Sequence, residues 1–230
     1  MLFDIIYLSV ISVEIILAGT LLFQLRRSID KLPEPWKRES PLNNFSSGVS
    51  FLLIYLILVL LSECVSLYLA RHYIYNSFVF SIYYTLSTPF LFGFLSINTQ
   101  MAWKRYTYFI LYSILVVHLI YGGYYHPRCI LPSSSSLIIF SFFFLAFLLQ
   151  LTDLLLTPKS DDFRFQLKIN LSFLIYSLIA TIVTTFHWQE MIMNVYSYKL
   201  FFHIHLFNIF LFYSVLAIIF TSEIIKLRRG

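Results

Sequence analysis

Seven long apolar stretches, separated by short polar segments, constrain this sequence more than any other feature. Their approximate bounds are 2–25, 49–70, 78–97, 106–121, 135–156, 169–186 and 199–225. A helix of about 20 residues rises about 30 Å and so crosses the hydrocarbon core of a bilayer. We therefore predict an all-α, polytopic integral membrane protein with seven transmembrane helices, which form a single membrane domain over residues 1–230.

The positions of the basic residues predict how these helices are oriented. The sequence has 16 Lys and Arg residues, and they are concentrated in alternate connecting segments. Because cytoplasmic loops are rich in Lys and Arg, this pattern places the N-terminus outside and the C-terminus in the cytoplasm. The predicted inner set is Arg26, Arg27, Lys31, Lys37, Arg38, Lys104, Arg105, Lys159, Arg164, Lys168, Lys226, Arg228 and Arg229, and the outer set is Arg71, Arg128 and Lys199.

The composition excludes a soluble globular domain and argues against a nucleic-acid partner. Hydrophobic residues make up 59% of the chain and charged residues only 12%, whereas charged residues are about 25% of a typical soluble domain. The net charge of +5 is concentrated in the predicted inner loops, where topology and anionic lipid explain it. The predicted partners are the lipid bilayer and a cytoplasmic or membrane protein that contacts the basic inner loops.

Prolines and short motifs at the ends of the spans indicate local structure. Pro33, Pro35 and Pro41 predict an irregular loop after the first span, because proline blocks the continuation of a helix. Pro89 lies within the third span and predicts a kink there. The first span is predicted to be retained rather than cleaved as a signal peptide, because Asp4 replaces the usual basic flank and the run is too long.

Side chains near the inner ends of the spans are predicted to lie at the membrane surface. Lys104, beside Trp103 at the start of the fourth span, is interpreted as an interfacial anchor. Gln150 and Asp153, near the inner end of the fifth span, are interpreted in the same way. The abundant Phe and Tyr residues are assigned to lipid contact and core packing.

Five polar side chains lie deep inside the predicted spans: Glu14, Glu63, His118, His205 and Asn208. At about 1.5 Å per residue, the last four lie about 9–13 Å below the predicted outer surface, and Glu14 about 18 Å below it. Ionisable residues at this depth are costly and face other helices or a cavity, so all five are candidates for binding a ligand or a proton. The alternative is structural: a hydrogen bond from Glu63 to a histidine, an amide or a Tyr hydroxyl that only orients the helices.

The sequence contains no motif that identifies a catalytic centre, a metal site or a cofactor. Glu63, His118 and His205 are only weak candidates for a metal set. His203 and His205 are two residues apart and point to opposite sides of a helix, so they cannot share one ion. The sequence therefore leaves the catalytic residues and cofactors unknown.

Three local features resemble a known group of proteins. They are Glu63 in a span that ends at a short turn, the Tyr83-Tyr84-Thr85 stretch, and the run from Phe202 to Asn208. Together they are similar to small seven-helix membrane proteins of Bacteroidota, a group without an established activity. The resemblance implies a multi-pass protein of the bacterial inner membrane and adds no mechanism.

These observations favour a receptor-like sensor that relays a signal from a small polar cavity in its outer half. Three other functions stay open: a transporter or channel for a small solute or ion, an intramembrane metal-dependent hydrolase, and a structural subunit of a membrane complex. A transporter or channel requires a polar path through the membrane, whereas a sensor requires only a site.

Overall fold

In the computed structural model of the protein, the described residues form seven α-helices. The structure describes residues 2–33, 41–72, 77–97, 99, 102–125, 133–156, 163–190 and 195–229. Each helix contains the whole of the span predicted for it, and most extend beyond it by a turn or more. The helices are α1 (Leu2–Asp30), α2 (Pro41–Arg71), α3 (Ser77–Ile97), α4 (Ala102–Tyr125), α5 (Ser133–Leu156), α6 (Phe163–Glu190) and α7 (Val195–Arg229).

Five of the described helices are long and apolar enough to cross a membrane, which makes this a helical, multi-pass membrane protein. A sixth apolar segment, Ile82–Ile97 in α3, is shorter. α4, which carries Lys104 and Arg105 in its first turn, is not among these five. The five segments are Ile6–Asp30, Asn43–Leu69, Leu137–Leu156, Phe163–Phe186 and His203–Arg228.

The two described helices that contain proline show how position decides its effect. Pro41, predicted to lie in a loop, instead begins α2. That prediction was wrong because the first residue of a helix has no intrahelical partner for its N–H, so proline is well tolerated there. Pro89 lies inside α3, and the helix continues past it to Ile97.

The helices form a closed ring in the order of the chain. Each helix packs against the next one from α1 to α7, and α7 packs back against α1. α3 also contacts α5, so α4 lies outside the line between them. Glu63, near the end of α2, and Lys104, in the first turn of α4, lie at opposite ends of this ring, which we call the Glu63 end and the Lys104 end.

Aromatic side chains fill the middle of the ring. Phe173 of α6 stacks on Phe147 of α5, with 4.7 Å between ring centroids. It also meets Phe212 of α7 at 4.8 Å and Tyr55 of α2 at 6.0 Å. Because α2 and α6 are not neighbours in the ring, the contact between Tyr55 and Phe173 spans its interior.

A second aromatic layer lies nearer the Lys104 end. Phe45 of α2 meets Phe165 of α6 edge-on at 4.6 Å, and Phe165 lies 6.3 Å from Phe220 of α7. All three side chains are buried. These two layers fill the interior with apolar rings between the two ends of the ring.

A glycine allows a close contact between α3 and a side chain of α2. A Cβ atom at Gly93 would lie 2.7 Å from Cε1 of Phe51, well inside van der Waals contact. In contrast, a Cβ atom at Gly19 of α1 would have no atom within 4 Å. The two glycines therefore form a matched pair, one at a tight helix contact and one in open space.

We predict that Gly93→Ala lowers the free energy of unfolding by about 1–3 kcal/mol, because the new methyl group displaces the Phe51 ring. Gly19→Ala is the control and is expected to leave stability unchanged or raise it by up to about 1 kcal/mol, since alanine favours a helix more than glycine does. Thermal unfolding in detergent micelles measures both. Equal effects at the two positions would contradict the close contact.

Candidate functional site

The carboxylate of Glu63 is bound by a tyrosine of another helix. The hydroxyl group of Tyr7 in α1 donates a hydrogen bond to Oε1 of Glu63 in α2, with 3.3 Å between the oxygens. Glu63 is half-buried and Tyr7 is half-buried as well. The hydrogen bond therefore joins the first two helices of the ring through a partly desolvated carboxylate, of the kind that the sequence suggested as a structural alternative.

Further tyrosines surround this hydrogen bond. The Tyr83 hydroxyl donates to the Tyr55 hydroxyl at 3.4 Å, and the ring of Tyr7 lies 6.2 Å from that of Tyr213. Glu63 is also close enough to three other tyrosine side chains for electrostatic interaction. α1, α2, α3, α6 and α7 contribute to this group, which we call the tyrosine cluster: Tyr7, Tyr55, Tyr83, Tyr84, Tyr176 and Tyr213.

Asn208 contacts this cluster at Tyr176, and His205 lies next to it through Phe140. Nδ2 of Asn208 donates a hydrogen bond to the carbonyl oxygen of Tyr176 at 3.1 Å. The ring of His205 lies 6.2 Å from that of Phe140 in α5, and Phe140 meets the ring of Tyr176 edge-on at 5.9 Å. Glu63, His205 and Asn208 thus come together around Tyr176, although each is held by a different partner.

His118 and Glu14 lie apart from this group. His118 is half-buried on α4, whose main packing partners are α3 and α5 rather than α1, α2 or α7. Glu14 lies seven residues after Tyr7 on the same face of α1, which is two turns, or about 10 Å, deeper. It is fully buried and lies beside the main chain of Ala217 in α7.

No group of three or more His, Cys, Asp or Glu side chains that could hold a metal ion occurs within the described ranges. Glu63, His118 and His205, the weak metal candidates, lie on α2, α4 and α7. Cys64, in the same turn as Glu63, is exposed on the outside of the ring.

The chemistry of the tyrosine cluster suits the binding of a small cation or a proton. A carboxylate supplies negative charge, and the faces of nearby phenol rings attract positive charge through their quadrupoles. Phenol hydroxyl groups both donate and accept hydrogen bonds, so they adapt to a bound polar group without leaving an unpaired atom. The site therefore combines one charge with several adjustable polar partners.

A second polar group, at the Lys104 end of the ring, corrects two predictions. Lys104 and Asp153 were expected at the membrane surface, but each is only 2% exposed. Nζ of Lys104 lies 3.1 Å from Oδ1 of Asp153. It also donates to the Thr152 hydroxyl at 3.0 Å and to the Leu149 carbonyl at 3.1 Å, so all three ammonium hydrogens have acceptors.

This group, which we call the Lys104 network, also holds the turn between α3 and α4. The Thr99 hydroxyl contacts the other carboxylate oxygen of Asp153, and Nη2 of Arg105 donates to the Thr99 carbonyl at 2.9 Å. Gln150, also predicted at the surface, is 2% exposed and accepts from the Tyr108 hydroxyl at 3.1 Å. The network thus joins the end of α3, the start of α4 and the end of α5.

The sequence gives only a partial signal for the Lys104 network and for the tyrosine cluster. Lys104 and Asp153 lie at corresponding ends of neighbouring antiparallel spans, a placement that allows pairing but does not require burial. The tyrosines were assigned to lipid contact and packing, since tyrosine is common in both settings. These tyrosines are distinguished from the others only by the packing that brings tyrosines of five helices together near Glu63.

Comparison with known proteins gives no family for this chain. No protein-family description, curated protein or solved structure matches it. Functional inference therefore depends on the geometry described above.

We predict that Asp153→Ala lowers the free energy of unfolding by about 3–5 kcal/mol, because it leaves the buried Lys104 ammonium without its counter-charge. The double variant Lys104→Met/Asp153→Leu should recover much of this loss, since an apolar pair of similar volume replaces a buried ion pair at little cost. Unfolding in detergent measures both variants.

Lys226→Ala is the control for this prediction. Lys226 is paired with Glu223 at 3.7 Å, but its side chain is 65% exposed. Glu223 is buried but keeps a second basic partner, Lys168, at 4.0 Å. Removing the exposed Lys226 ammonium is therefore expected to change stability by about 0–1 kcal/mol. A loss at Asp153 no larger than the loss at Lys226 would contradict the buried role of the Lys104 network.

Proposed function

We propose that this protein spans the bacterial inner membrane seven times, with its N-terminus outside and its C-terminus in the cytoplasm. α3 has 21 residues and α4 has 24, so each is about 31–36 Å long and sufficient to cross a bilayer. Both helices pack within the ring beside the five strongly apolar helices, which supports a common depth. The excess of Lys and Arg on one side supports the orientation, and the Glu63 end then faces outward.

Within that arrangement, the protein acts as a receptor-like sensor. A small organic cation or a proton binds at Glu63 and the tyrosine cluster in the outer half, and cytoplasmic partners respond to this binding at the basic inner ends of the helices. The observation that carries this proposal is the Tyr7–Glu63 hydrogen bond inside a cluster to which five helices contribute. A ligand that competes for Glu63 changes how α1 is held against α2.

The difference between the two ends of the ring supports a site at the Glu63 end. In the Lys104 network the ammonium group is fully paired, and a further group bound there would have to break an existing interaction. In the tyrosine cluster, the Tyr7–Glu63 and Tyr83–Tyr55 hydroxyl contacts are long, at 3.3 and 3.4 Å. Shorter hydrogen bonds to a bound ligand are therefore available without the loss of a strong one.

The aromatic layers favour sensing over conduction. A channel or transporter needs a polar path from Glu63 through Glu14 to the opposite surface. Between the tyrosine cluster and the Lys104 end, the described residues place the ring of Phe173 and its aromatic neighbours across the interior. A polar site that does not continue past the centre of the protein is sufficient for a sensor but not for a channel.

The orientation predicts which residues are accessible from outside the cell. In a variant with both natural cysteines replaced by serine, His72→Cys should react with a membrane-impermeant maleimide in intact cells. Lys31→Cys should react only after the membrane is permeabilised. Both positions are exposed in the structure, so burial does not account for a difference. The reverse pattern would contradict the orientation.

The ligand site is tested with tetramethylammonium chloride against sodium chloride at equal ionic strength. Tetramethylammonium should raise the unfolding temperature of the purified protein, because a ligand that binds only the folded state stabilises it. Glu63→Gln should abolish this rise, because the amide carries no charge. Tyr7→Phe should strengthen it, because the ligand then no longer competes with the Tyr7 hydroxyl for the Glu63 carboxylate.

Glu223→Gln is the matched control, since Glu223 is a buried carboxylate near the end of α7 that pairs with Lys168 and Lys226 instead of with the tyrosine cluster. It should keep the full response to tetramethylammonium. A response that persists in Glu63→Gln, or an equal response to both salts, would overturn the proposed site.

A further inference from the structure

Glu14 is a buried carboxyl group at the contact that closes the helix ring. It is 0% exposed, and neither of its oxygens has a hydrogen-bond partner among the residues that the structure describes. Its carboxyl group lies beside the main chain of Ala217, on the face of α7 that packs against α1. A buried polar group without a partner requires an explanation, such as a bound proton, ion or water.

The neighbouring helices supply no positive charge to balance an ionised Glu14. Arg26, the first basic residue after it on α1, is 12 residues away, or about 18 Å along the helix. Lys226 of α7 lies nine residues beyond Ala217, or about 13 Å. His205 of α7 lies 12 residues before Ala217, or about 18 Å along the helix. The titratable groups nearer than this along the described parts of the packed helices include tyrosines and acids: Tyr7 on α1, Tyr55 and Glu63 on α2, and Tyr213 and Glu223 on α7.

The buried position of Glu14 favours its neutral form. An ionised carboxylate without a partner is strongly disfavoured in an apolar interior. A protonated carboxyl group has a single hydrogen, and a helix carbonyl can accept it with its second lone pair. The surroundings of Glu14 therefore stabilise its protonated form and disfavour its ionised form.

We propose that Glu14 is a proton-binding site that keeps α1 packed against α7 while the proton is bound, and that loss of the proton separates the two helices and opens the ring. The step is the dissociation of one carboxyl O–H bond, which leaves the electron pair on the Glu14 carboxylate. The released proton passes to water once the contact opens. This site is distinct from the Glu63 site and does not rest on the proposed function.

The surroundings of Glu14 indicate the end from which the proton is exchanged. Towards the Glu63 end, Tyr7 and Tyr213 pack against each other, and the Tyr7 hydroxyl continues to Glu63. Towards the Lys104 end, α1 presents Ala18, Leu21 and Leu25, all 0% exposed. Hydroxyl groups relay protons and apolar side chains do not, so exchange takes place from the Glu63 end.

The first experiment measures the unfolding equilibrium in detergent as a function of pH. A folded state that holds a proton on Glu14 binds more protons than the unfolded state, where the carboxyl group is ionised in water, so stability falls as pH rises. One such group changes the folding equilibrium by up to about tenfold per pH unit. Glu14→Gln, which resembles the neutral form, should remove the part of this dependence that Glu14 contributes, whereas Glu63→Gln should leave that part in place. An unchanged pH dependence in Glu14→Gln would overturn the proposal.

The second experiment uses the unaltered protein, so it tests the proposal even if Glu14→Gln fails to fold. Dicyclohexylcarbodiimide is an apolar reagent that reacts with protonated carboxyl groups: the O–H adds across one C=N bond, and rearrangement gives a stable N-acylurea with no leaving group. In liposomes, peptide mass spectrometry should find this adduct on Glu14, in an amount that decreases as pH rises. The absence of a Glu14 adduct at every pH, or an adduct that does not depend on pH, would contradict the proposal.

The two proposals fail in different ways. If Glu63→Gln responds to tetramethylammonium like the unaltered protein while Glu14 still forms the adduct, only the Glu63 site is wrong. If the cation response depends on Glu63 but Glu14 forms no adduct, only the proton site is wrong.

Discussion

The packing of α7 against α1 is the contact on which the rest of the structure depends. A bundle of seven helices can bury polar side chains only if their faces are turned away from lipid, because lipid offers them no hydrogen bonds. Closing the ring encloses Glu14, the tyrosine cluster and Asn208 together. In an open arrangement of the same helices, one edge of this polar interior would meet hydrocarbon.

The two ends of the ring use their polar groups in different ways. At the Lys104 end, a buried ion pair with additional hydrogen bonds fixes the turn between α3 and α4 against α5. Such networks stabilise one packing arrangement over alternative ones, because a partly formed network leaves a charge unpaired. At the Glu63 end, a carboxylate and several phenols make long contacts that permit small rearrangements. Rigidity at one end and adaptability at the other is the pattern expected when a binding event must be transmitted.

The length of the apolar stretches predicted all seven helices, because spanning length and hydropathy are local properties of the sequence. Depth along each helix also predicted that Glu63, His118, His205 and Asn208 share one level in the outer half. In the structure Asn208 contacts the main chain of Tyr176 and Glu63 contacts Tyr7 of the same cluster, whereas His118 lies apart on α4. Two features were beyond such reasoning. The burial of Lys104 depends on the register of α4 against α5, and the contact of Tyr7 with Glu63 depends on the rotation of α1 about its axis. Neither register nor rotation is a local property.

α1 connects the two proposed sites, because it carries both Tyr7 and Glu14 on one face. Tyr7 holds this helix to α2 through Glu63 and packs against Tyr213 of α7. A ligand that draws Glu63 away from Tyr7 removes one restraint on α1, and an ionised Glu14 weakens another. The two events therefore act on the same helix in the same direction, and each lowers the free energy needed for the other. Two sites that bias one element are coupled by thermodynamic necessity, whatever the distance between them.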